Sequence, residues 1–145
     1  MNMFNRLFAL IGLVLLMGCI GEPKITEVGS STRLYDLGEL GSKEGSLTNY
    51  EIEGVDAYYY VVRIPFSSNE FDTYLLKIES DTMFTAIPTT IGEETVYFGF
   101  STPTDETPHM IFWHEGNKML SISTDASVKD LDVMLDLYDY YLNNR

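Results

Sequence analysis

The amino-acid sequence predicts an α+β domain, in which a single antiparallel sheet of about five or six strands carries two helices. Short segments that alternate apolar and polar residues, separated by turn residues, predict the strands. Two other segments repeat apolar residues at helical spacing, and one of them closes the chain. We expect both helices to cover one face of the sheet, with the C-terminal helix packed directly on it.

In the first half of the domain one strand is clearly predicted, and it follows segments that are short of large apolar residues or rich in glycine. Residues 21 to 32 are short of large apolar side chains, which predicts a tether. Residues 33 to 37 are a candidate edge strand, and residues 38 to 46, with three glycines, predict a loop. At residues 57 to 64 the side chains alternate between two faces, which predicts a strand that Pro65 ends. One face holds Tyr58, Tyr60, Val62 and Ile64, and the other holds Ala57, Tyr59, Val61 and Arg63.

A helix is predicted over residues 68 to 79. Ser67 and Glu70 have the spacing of a capping box, in which each side chain accepts a hydrogen bond from the backbone amide of the other residue. The apolar residues that follow at helical spacing are Phe71, Tyr74, Leu75 and Ile78. A strand is the alternative for this segment, because Tyr74, Leu76 and Ile78 also alternate.

Three more strands are predicted, at residues 95 to 101, 109 to 114 and 119 to 124. The region before them contains Pro88 and Gly92, which predicts a loop. The last two strands form a hairpin around Gly116-Asn117, because both residue types tolerate the positive φ that tight turns require.

The closing segment predicts an amphipathic helix with Ser127 as its N-cap. Its apolar face consists of Leu131, Met134, Leu135, Tyr138, Tyr141 and Leu142. Its polar side carries Asp130, Asp132, Asp136 and Asp139. We expect these carboxylates to form a solvated surface, because Ca²⁺ usually needs more oxygens wrapped from a loop and no EF-hand spacing is present.

The first 18 residues have the features of an export signal: one charged residue, Arg6, then an unbroken apolar run, then small residues. The run is short for a transmembrane helix, which needs about 20 apolar residues. Leu16-Met17-Gly18-Cys19 resembles the lipobox of prokaryotic lipoproteins, and Gly18-Cys19-Ile20-Gly21 is similar to the start of many archaeal ones. The resemblance implies cleavage between Gly18 and Cys19 and a diacylglycerol-type lipid on the Cys19 thiol. The alternatives are an uncleaved anchor or an ordinary secretory signal.

These features predict a signal peptide at residues 1 to 18, a lipidated tether at residues 19 to 32 and one α+β domain at residues 33 to 145. Two or more acyl chains anchor a protein stably, so we expect it at the cell membrane, facing the extracytoplasmic side. The second half of the chain, from Ile91-Gly92-Glu93-Glu94 through Trp113 to the closing helix, resembles small secreted or lipid-anchored α+β domains of prokaryotes. That resemblance implies a fold and no catalytic motif.

The formal charge of the whole chain is −13, and removal of residues 1 to 18 makes it −14, because the only charged residue lost is Arg6. No basic patch is present to bind nucleic acid, since phosphate contacts need many Lys and Arg residues. Anionic headgroups would repel this surface, so the lipid must hold the protein at the membrane.

Candidate chemistry in the sequence is sparse. His109 and His114 are the only histidines, and on a strand they point to opposite faces, so they do not share a metal. Neither a Gly-x-Ser-x-Gly motif nor a phosphate-binding glycine loop is present. We therefore expect no catalytic, metal or cofactor residues, and we take Tyr59 and Trp113 as a candidate interaction surface.

The sequence thus favours a lipid-anchored binding or protein-interaction module whose partner is a protein or a small ligand. One alternative is a carrier of a small apolar ligand or lipid, which requires a hollow between the sheet and its helices. A second is a metal-assisted hydrolase, which requires carboxylates that converge on His109 or His114.

Overall fold

A computed structural model describes residues 21–102, 104–127 and 129–145. The predicted signal peptide and Cys19 lie outside the described residues. Within them the chain forms one antiparallel sheet of seven strands, rather than five or six, and two α-helices. The strands are β1 (Ile25–Asp36), β2 (Ser42–Ile52), β3 (Tyr58–Pro65), β4 (Thr85–Ile91), β5 (Glu94–Phe100), β6 (Met110–Glu115) and β7 (Lys118–Thr124), and the helices are α1 (Ser68–Ser80) and α2 (Leu131–Asn144). The α+β class is confirmed.

The order of strands across the sheet is β1-β2-β3-β7-β6-β5-β4. The chain builds β1, β2 and β3 as one meander, and α1 then carries it to the far edge of the sheet. From there β4 to β7 return strand by strand until β7 pairs with β3. The two halves of the sequence therefore meet at the centre of the sheet.

The structure corrects three predictions at the sheet edges. Residues 25 to 32, assigned to a tether, form the first part of β1, and β2 begins at Ser42, inside the predicted loop. The loop predicted around Pro88 is the edge strand β4. An edge strand pairs on one side only, so it tolerates a proline that cannot donate a hydrogen bond.

The helices lie on opposite faces of the sheet, and the expectation that they share one face is wrong. Alternate residues of β6 show this directly, because Ile111 and Trp113 pack with α2 whereas Phe112 packs with α1. The layer under α2 is built from five strands and the helix: Tyr50, Ile52, Tyr59, Val61, Val96, Ile111, Trp113, Leu120, Ile122, Met134, Leu137, Tyr138 and Tyr141. The smaller layer under α1 contains Ile64, Phe66, Phe71, Ile78, Phe112 and Met119.

The closing helix is confirmed, but its N-cap is Asp130 and not Ser127. The Asp130 carboxylate accepts hydrogen bonds from the amides of Asp132, at 3.0 Å, and Val133, at 3.4 Å. A carboxylate at this position also gains from the positive end of the helix dipole, which a serine hydroxyl does not.

The start of α1 has the predicted capping box. The Ser67 hydroxyl accepts from the Glu70 amide at 3.3 Å, and the Glu70 carboxylate accepts from the Ser67 amide at 2.8 Å. Lys43 of β2 adds an ion pair to Glu70, at 2.7 Å between Nζ and Oε1. This local pairing favours the helix over the alternative strand.

Ser67→Ala should lower the free energy of unfolding by about 1 kcal/mol, the usual cost of losing an N-cap side chain. Urea titration followed by far-UV circular dichroism measures the change. The control is Ser68→Ala, which leaves the cap intact and should change stability by less than about 0.5 kcal/mol. Equal losses in the two variants would show that the capping box does not stabilise this helix.

Glu70→Gln should produce a pH-dependent loss of stability. The hydrogen bond from Lys43, together with the Ser67 amide, lowers the pKa of Glu70 to about 2. Because the pKa is lower in the folded than in the unfolded chain, the carboxylate stabilises the fold above its ordinary pKa and loses this effect as pH falls toward 2. The wild type should therefore exceed the variant in stability at pH 7, and the difference should vanish near pH 2.

The matched control is Glu79→Gln at the exposed end of the same helix, which should show no comparable pH dependence. Added salt should reduce the Glu70 effect, since this pair is partly exposed to solvent. A Glu70→Gln difference that stays constant between pH 7 and pH 2 would contradict the assigned role of the ion pair.

Candidate functional site

Helix α1 covers only one end of its sheet face. At the other end, Leu47, Tyr58 and Tyr60 belong to neither buried core cluster. Tyr58 is 45% exposed, and Leu47 and Tyr60 are half-buried. Together with Asn49 between them, these side chains form a surface that we call the tyrosine face.

Small residues surround the tyrosine face within the sheet. Tyr60 stands opposite Asn49 of β2 on one side and opposite Ser123 of β7 on the other. On β1, Gly29 and Ser31 stand opposite Asn49 and Leu47. Because these neighbours carry short side chains or none, the tyrosine rings protrude from the surrounding sheet surface.

Asp125 fixes the geometry of the two tyrosines. Its carboxylate accepts from the Tyr58 amide at 3.1 Å and from the Tyr60 hydroxyl at 2.9 Å. Thr124 also donates its hydroxyl hydrogen to the Tyr58 carbonyl at 2.8 Å. Burial and the carboxylate acceptor both raise the pKa of Tyr60, so its hydroxyl stays protonated as a donor. The Tyr58 backbone and the Tyr60 ring are thus held in place before any partner arrives.

Tyr59 and Trp113, the residues predicted to form an interaction surface, are buried instead. Tyr59 is 0% and Trp113 is 2% exposed, and both pack beneath α2. The Trp113 ring meets the Tyr138 ring edge to face, with 4.8 Å between ring centres. The alternation in β3 separates Tyr59 from Tyr58 and Tyr60, but it does not reveal which of the two faces a helix covers.

The two histidines lie in different surroundings. His114 Nε2 lies 2.9 Å from the Phe66 carbonyl oxygen, and its ring stacks on Phe71 with 5.0 Å between centres. His109 instead lines an open groove of about 450 Å³ with Asp105 and Lys129. Over residues 21–102, 104–127 and 129–145, no group of three or more His, Cys, Asp or Glu residues is placed to hold a metal.

The carboxylates of α2 lie where the sequence analysis placed them, on the solvent side of the helix. Asp132, Asp136 and Asp139 are all exposed. Partial burial, followed by repulsion from Asp139 and Asp132, raises the pKa of Asp136. Mutual repulsion of this kind is what a solvated acidic face produces.

The layer between the sheet and α2 is filled by side chains. Nine of its members have no exposed surface: Tyr59, Val61, Val96, Ile111, Leu120, Ile122, Met134, Leu137 and Tyr138. A carrier would need room for a ligand in this layer. Apolar side chains fill the layer, in which Trp113 Nε1 and the Tyr138 hydroxyl have no hydrogen-bond partner among the described residues.

In the described part of the chain, no helix combines the length and apolar character needed to cross a bilayer. Comparisons of the chain with protein-family models, with curated proteins and with solved structures found no match.

Proposed function

We propose that this protein is a lipid-anchored extracytoplasmic interaction module whose tyrosine face binds a protein partner. The observation that carries the proposal is the end of the sheet that α1 leaves uncovered, where Asp125 holds the Tyr58 backbone and the Tyr60 ring in fixed positions. Tyrosine offers a large contact area with little loss of side-chain entropy, which is why it is enriched at interfaces.

The partner should carry basic residues around an apolar centre. Glu51 stands opposite Tyr58 in the sheet, and Asp125 contacts both tyrosines, so two carboxylates border the face. Arg33 of β1 adds one cation near Tyr60. The whole chain also has a formal charge of −13. Opposite charges at the rim of an interface accelerate association and exclude wrong partners.

The position of the N-terminal strand places the tyrosine face near the proposed anchor. Ile25, the first residue of β1, pairs with Ile52, and the neighbouring Glu51 pairs with Tyr58. The six residue steps from Cys19 to Ile25 span at most about 20 Å. A lipid on Cys19 would therefore hold this end of the sheet close to the bilayer, where another membrane-associated protein is the expected partner.

The packed layer under α2 supports an interaction module over a carrier, because the apolar surface there is already occupied by the protein's own side chains. The histidine surroundings give no comparable support to a hydrolase. Recognition at an exposed, preorganised sheet surface accounts for the features of the fold without any catalytic group.

Tyr58→Ser should weaken binding of the membrane partner by about tenfold or more, the typical cost of truncating a central aromatic residue. The measurement is quantitative co-purification of the full chain from its own membranes, with wild type and variant produced at equal levels. Ile87→Ser is the matched control, because Ile87 is 49% and Tyr58 45% exposed and both lie in strands. Equal recovery of every partner in both variants would exclude the tyrosine face as the binding surface.

Cys19→Ser should release the protein from membranes or leave its precursor uncleaved, because the acyl acceptor is lost. Membrane fractionation and intact-mass analysis of the wild type and the variant test this. A wild-type protein that begins at Cys19 should carry added acyl mass. A variant that is processed and membrane-bound as before would refute lipid anchoring, and it would leave the tyrosine-face experiment unaffected.

A further inference from the structure

A second surface lies on the opposite face of the sheet, near the C-terminal end of α2. Here an open groove of about 450 Å³ runs across the ends of four strands. It is lined by Thr32, Glu44, Gly45, Ser46, Arg63, Ile64, Pro65, Asn117 and Lys118. We call it the Arg63 groove.

Arg63 is held by aromatic and hydroxyl groups rather than by a carboxylate. Its Nη1 donates to Thr48 Oγ1 at 3.1 Å, and its guanidinium lies over the Tyr141 ring at 4.9 Å from the centre. Among the described residues its guanidinium forms no ion pair with an Asp or Glu. This is unexpected in a chain with 22 acidic and nine basic residues.

The surroundings of Arg63 keep it charged. Burial alone would lower its pKa, but hydrogen bonding to the Tyr141 and Tyr50 hydroxyls outweighs burial and raises the pKa above its ordinary value. A half-buried cation without an anionic partner is costly. The guanidinium has five N–H donors, so two remain for an anion after Thr48 and the Tyr141 and Tyr50 hydroxyls have each taken one.

The register of the sheet aligns further binding groups with Arg63. Ser46 stands directly opposite Arg63, and Thr32 stands opposite Ser46, so two hydroxyls and the guanidinium form one row on the same face. Lys118 lies on that face as well, because its neighbour two residues on, Leu120, pairs with Arg63. Thr32, Ser46, Arg63 and Lys118 all line the groove.

We propose that the Arg63 groove binds a small ligand through one oxyanion, a carboxylate or a phosphate. The guanidinium offers the oxyanion a planar set of donors, which suits a two-point contact. Lys118 adds charge, and the hydroxyls of Ser46 and Thr32 add neutral donors. Pro65, on the same face as Arg63, lines the groove for the carbon part of the ligand. This inference is independent of the proposed function, because the groove and the tyrosine face lie on opposite faces of the sheet.

The acidity of the protein favours ligands of low charge. Glu44 borders the groove and repels a second anionic group. Glu115 stands opposite Lys118 on this face, but its carboxylate forms an ion pair with Arg145. Carboxylates farther away have little effect, because charges are screened over about 8 Å at physiological ionic strength. A single oxyanion in contact with Arg63 and Lys118 therefore gains more from these two cations than it loses to the remote acidic surface.

The test is titration of the full, detergent-solubilised protein with butyrate and, separately, with inorganic phosphate, followed by the backbone amide signals of Ser46 and Lys118. Sodium chloride at matched ionic strength is the reference. Saturable shifts with butyrate alone indicate a carboxylate ligand, and shifts with phosphate alone indicate a phosphate ligand. Either result supports the proposal, as does saturation by both.

Single-residue variants distinguish binding of the anion in the Arg63 groove from nonspecific attraction of anions to surface cations. Lys118→Gln should weaken binding by about two- to fivefold, as expected for an exposed charge. Arg63→Lys keeps the charge but loses the planar donors, and should weaken binding by about tenfold or more. Lys77→Gln, a lysine of α1 on the other face, should have no effect.

Ser46→Ala, a smaller change next to Arg63, keeps the proposal testable if Arg63→Lys fails to fold. It should weaken binding by about two- to tenfold through loss of one hydroxyl donor. Absence of saturable shifts with both anions would overturn the proposal. Saturable shifts with unchanged affinity in both the Lys118→Gln and the Ser46→Ala variant would also overturn the proposal.

Discussion

Replacing Trp113 with alanine should lower the free energy of unfolding by about 3–5 kcal/mol, the usual cost of deleting a large buried aromatic side chain. Trp113 is 2% exposed and contacts the rings of Tyr138 and Tyr141, at 4.8 and 5.8 Å between centres. The loss is a large part of the roughly 5–15 kcal/mol that stabilises a typical domain. Urea unfolding monitored by circular dichroism measures it.

Tyr58→Ala is the matched control for this experiment. Tyr58 is also an aromatic strand residue, but it is 45% exposed and belongs to neither core cluster, so its removal should cost less than about 1 kcal/mol. Trp113→Phe, which keeps most of the packing, should fall between the two. Similar losses for Trp113→Ala and Tyr58→Ala would contradict the assignment of Trp113 to the core and Tyr58 to the surface.

Gly45→Ala should lower the free energy of unfolding by about 1–3 kcal/mol, the range found for overpacked interiors. A Cβ atom at this position would lie 2.6 Å from the Arg63 carbonyl oxygen and 3.1 Å from side-chain atoms of Ile64 and Tyr35. The nearest atom belongs to the backbone of a paired strand, so relief requires β2 and β3 to separate. The same chemical denaturation experiment measures the loss.

Gly29→Ala provides the control for Gly45→Ala, because Gly29 lies in the adjacent strand and a Cβ there would meet nothing within 4 Å. Its substitution should leave stability unchanged or raise it slightly, since alanine restricts the unfolded chain. Equal destabilisation by the two substitutions would show that the close contact at Gly45 does not limit what the sheet accepts.

Local signals in the sequence predicted the elements that carry their own chemical markers. The Ser67 and Glu70 pair identified the start of α1, and Gly116-Asn117 identified the hairpin between β6 and β7. The central strand β3 was recognisable from its alternation. In each case the residues that determine the element lie within a few positions of one another, so their pattern can be recognised in a single sequence.

The edge strands lack such markers: in the region of β1 only residues 33 to 37 were predicted as a strand, and β4 was predicted as a loop. Most side chains of β1 are exposed on both faces, so no alternation of apolar and polar residues appears in its sequence. In β4, Pro88 reads as a loop signal until the strand is known to be an edge. Each pairs only with the next strand along the chain, β1 with β2 and β4 with β5, so the pairing and not the strand's own side-chain pattern identifies it.

The two candidate surfaces could not be predicted from local signals, because residues far apart in the chain form them. Alternation separated Tyr59 from Tyr58 and Tyr60, but the face that stays open is decided by the path of α1 to the far edge of the sheet. The Arg63 groove combines Thr32, Ser46 and Arg63 through the register of three strands. No spacing along the chain brings these three residues together.

Photo-cross-linking in intact membranes tests the central claim most directly. A photoreactive amino acid replaces Tyr58 in the full chain and, in a parallel sample, replaces Ile87, which is exposed to a similar extent on the far edge strand. We expect one defined cross-linked protein from position 58, abolished by the additional change Tyr60→Ser, and none from position 87. The same cross-links from both positions, or none from either, would contradict the assignment of the tyrosine face as the binding surface.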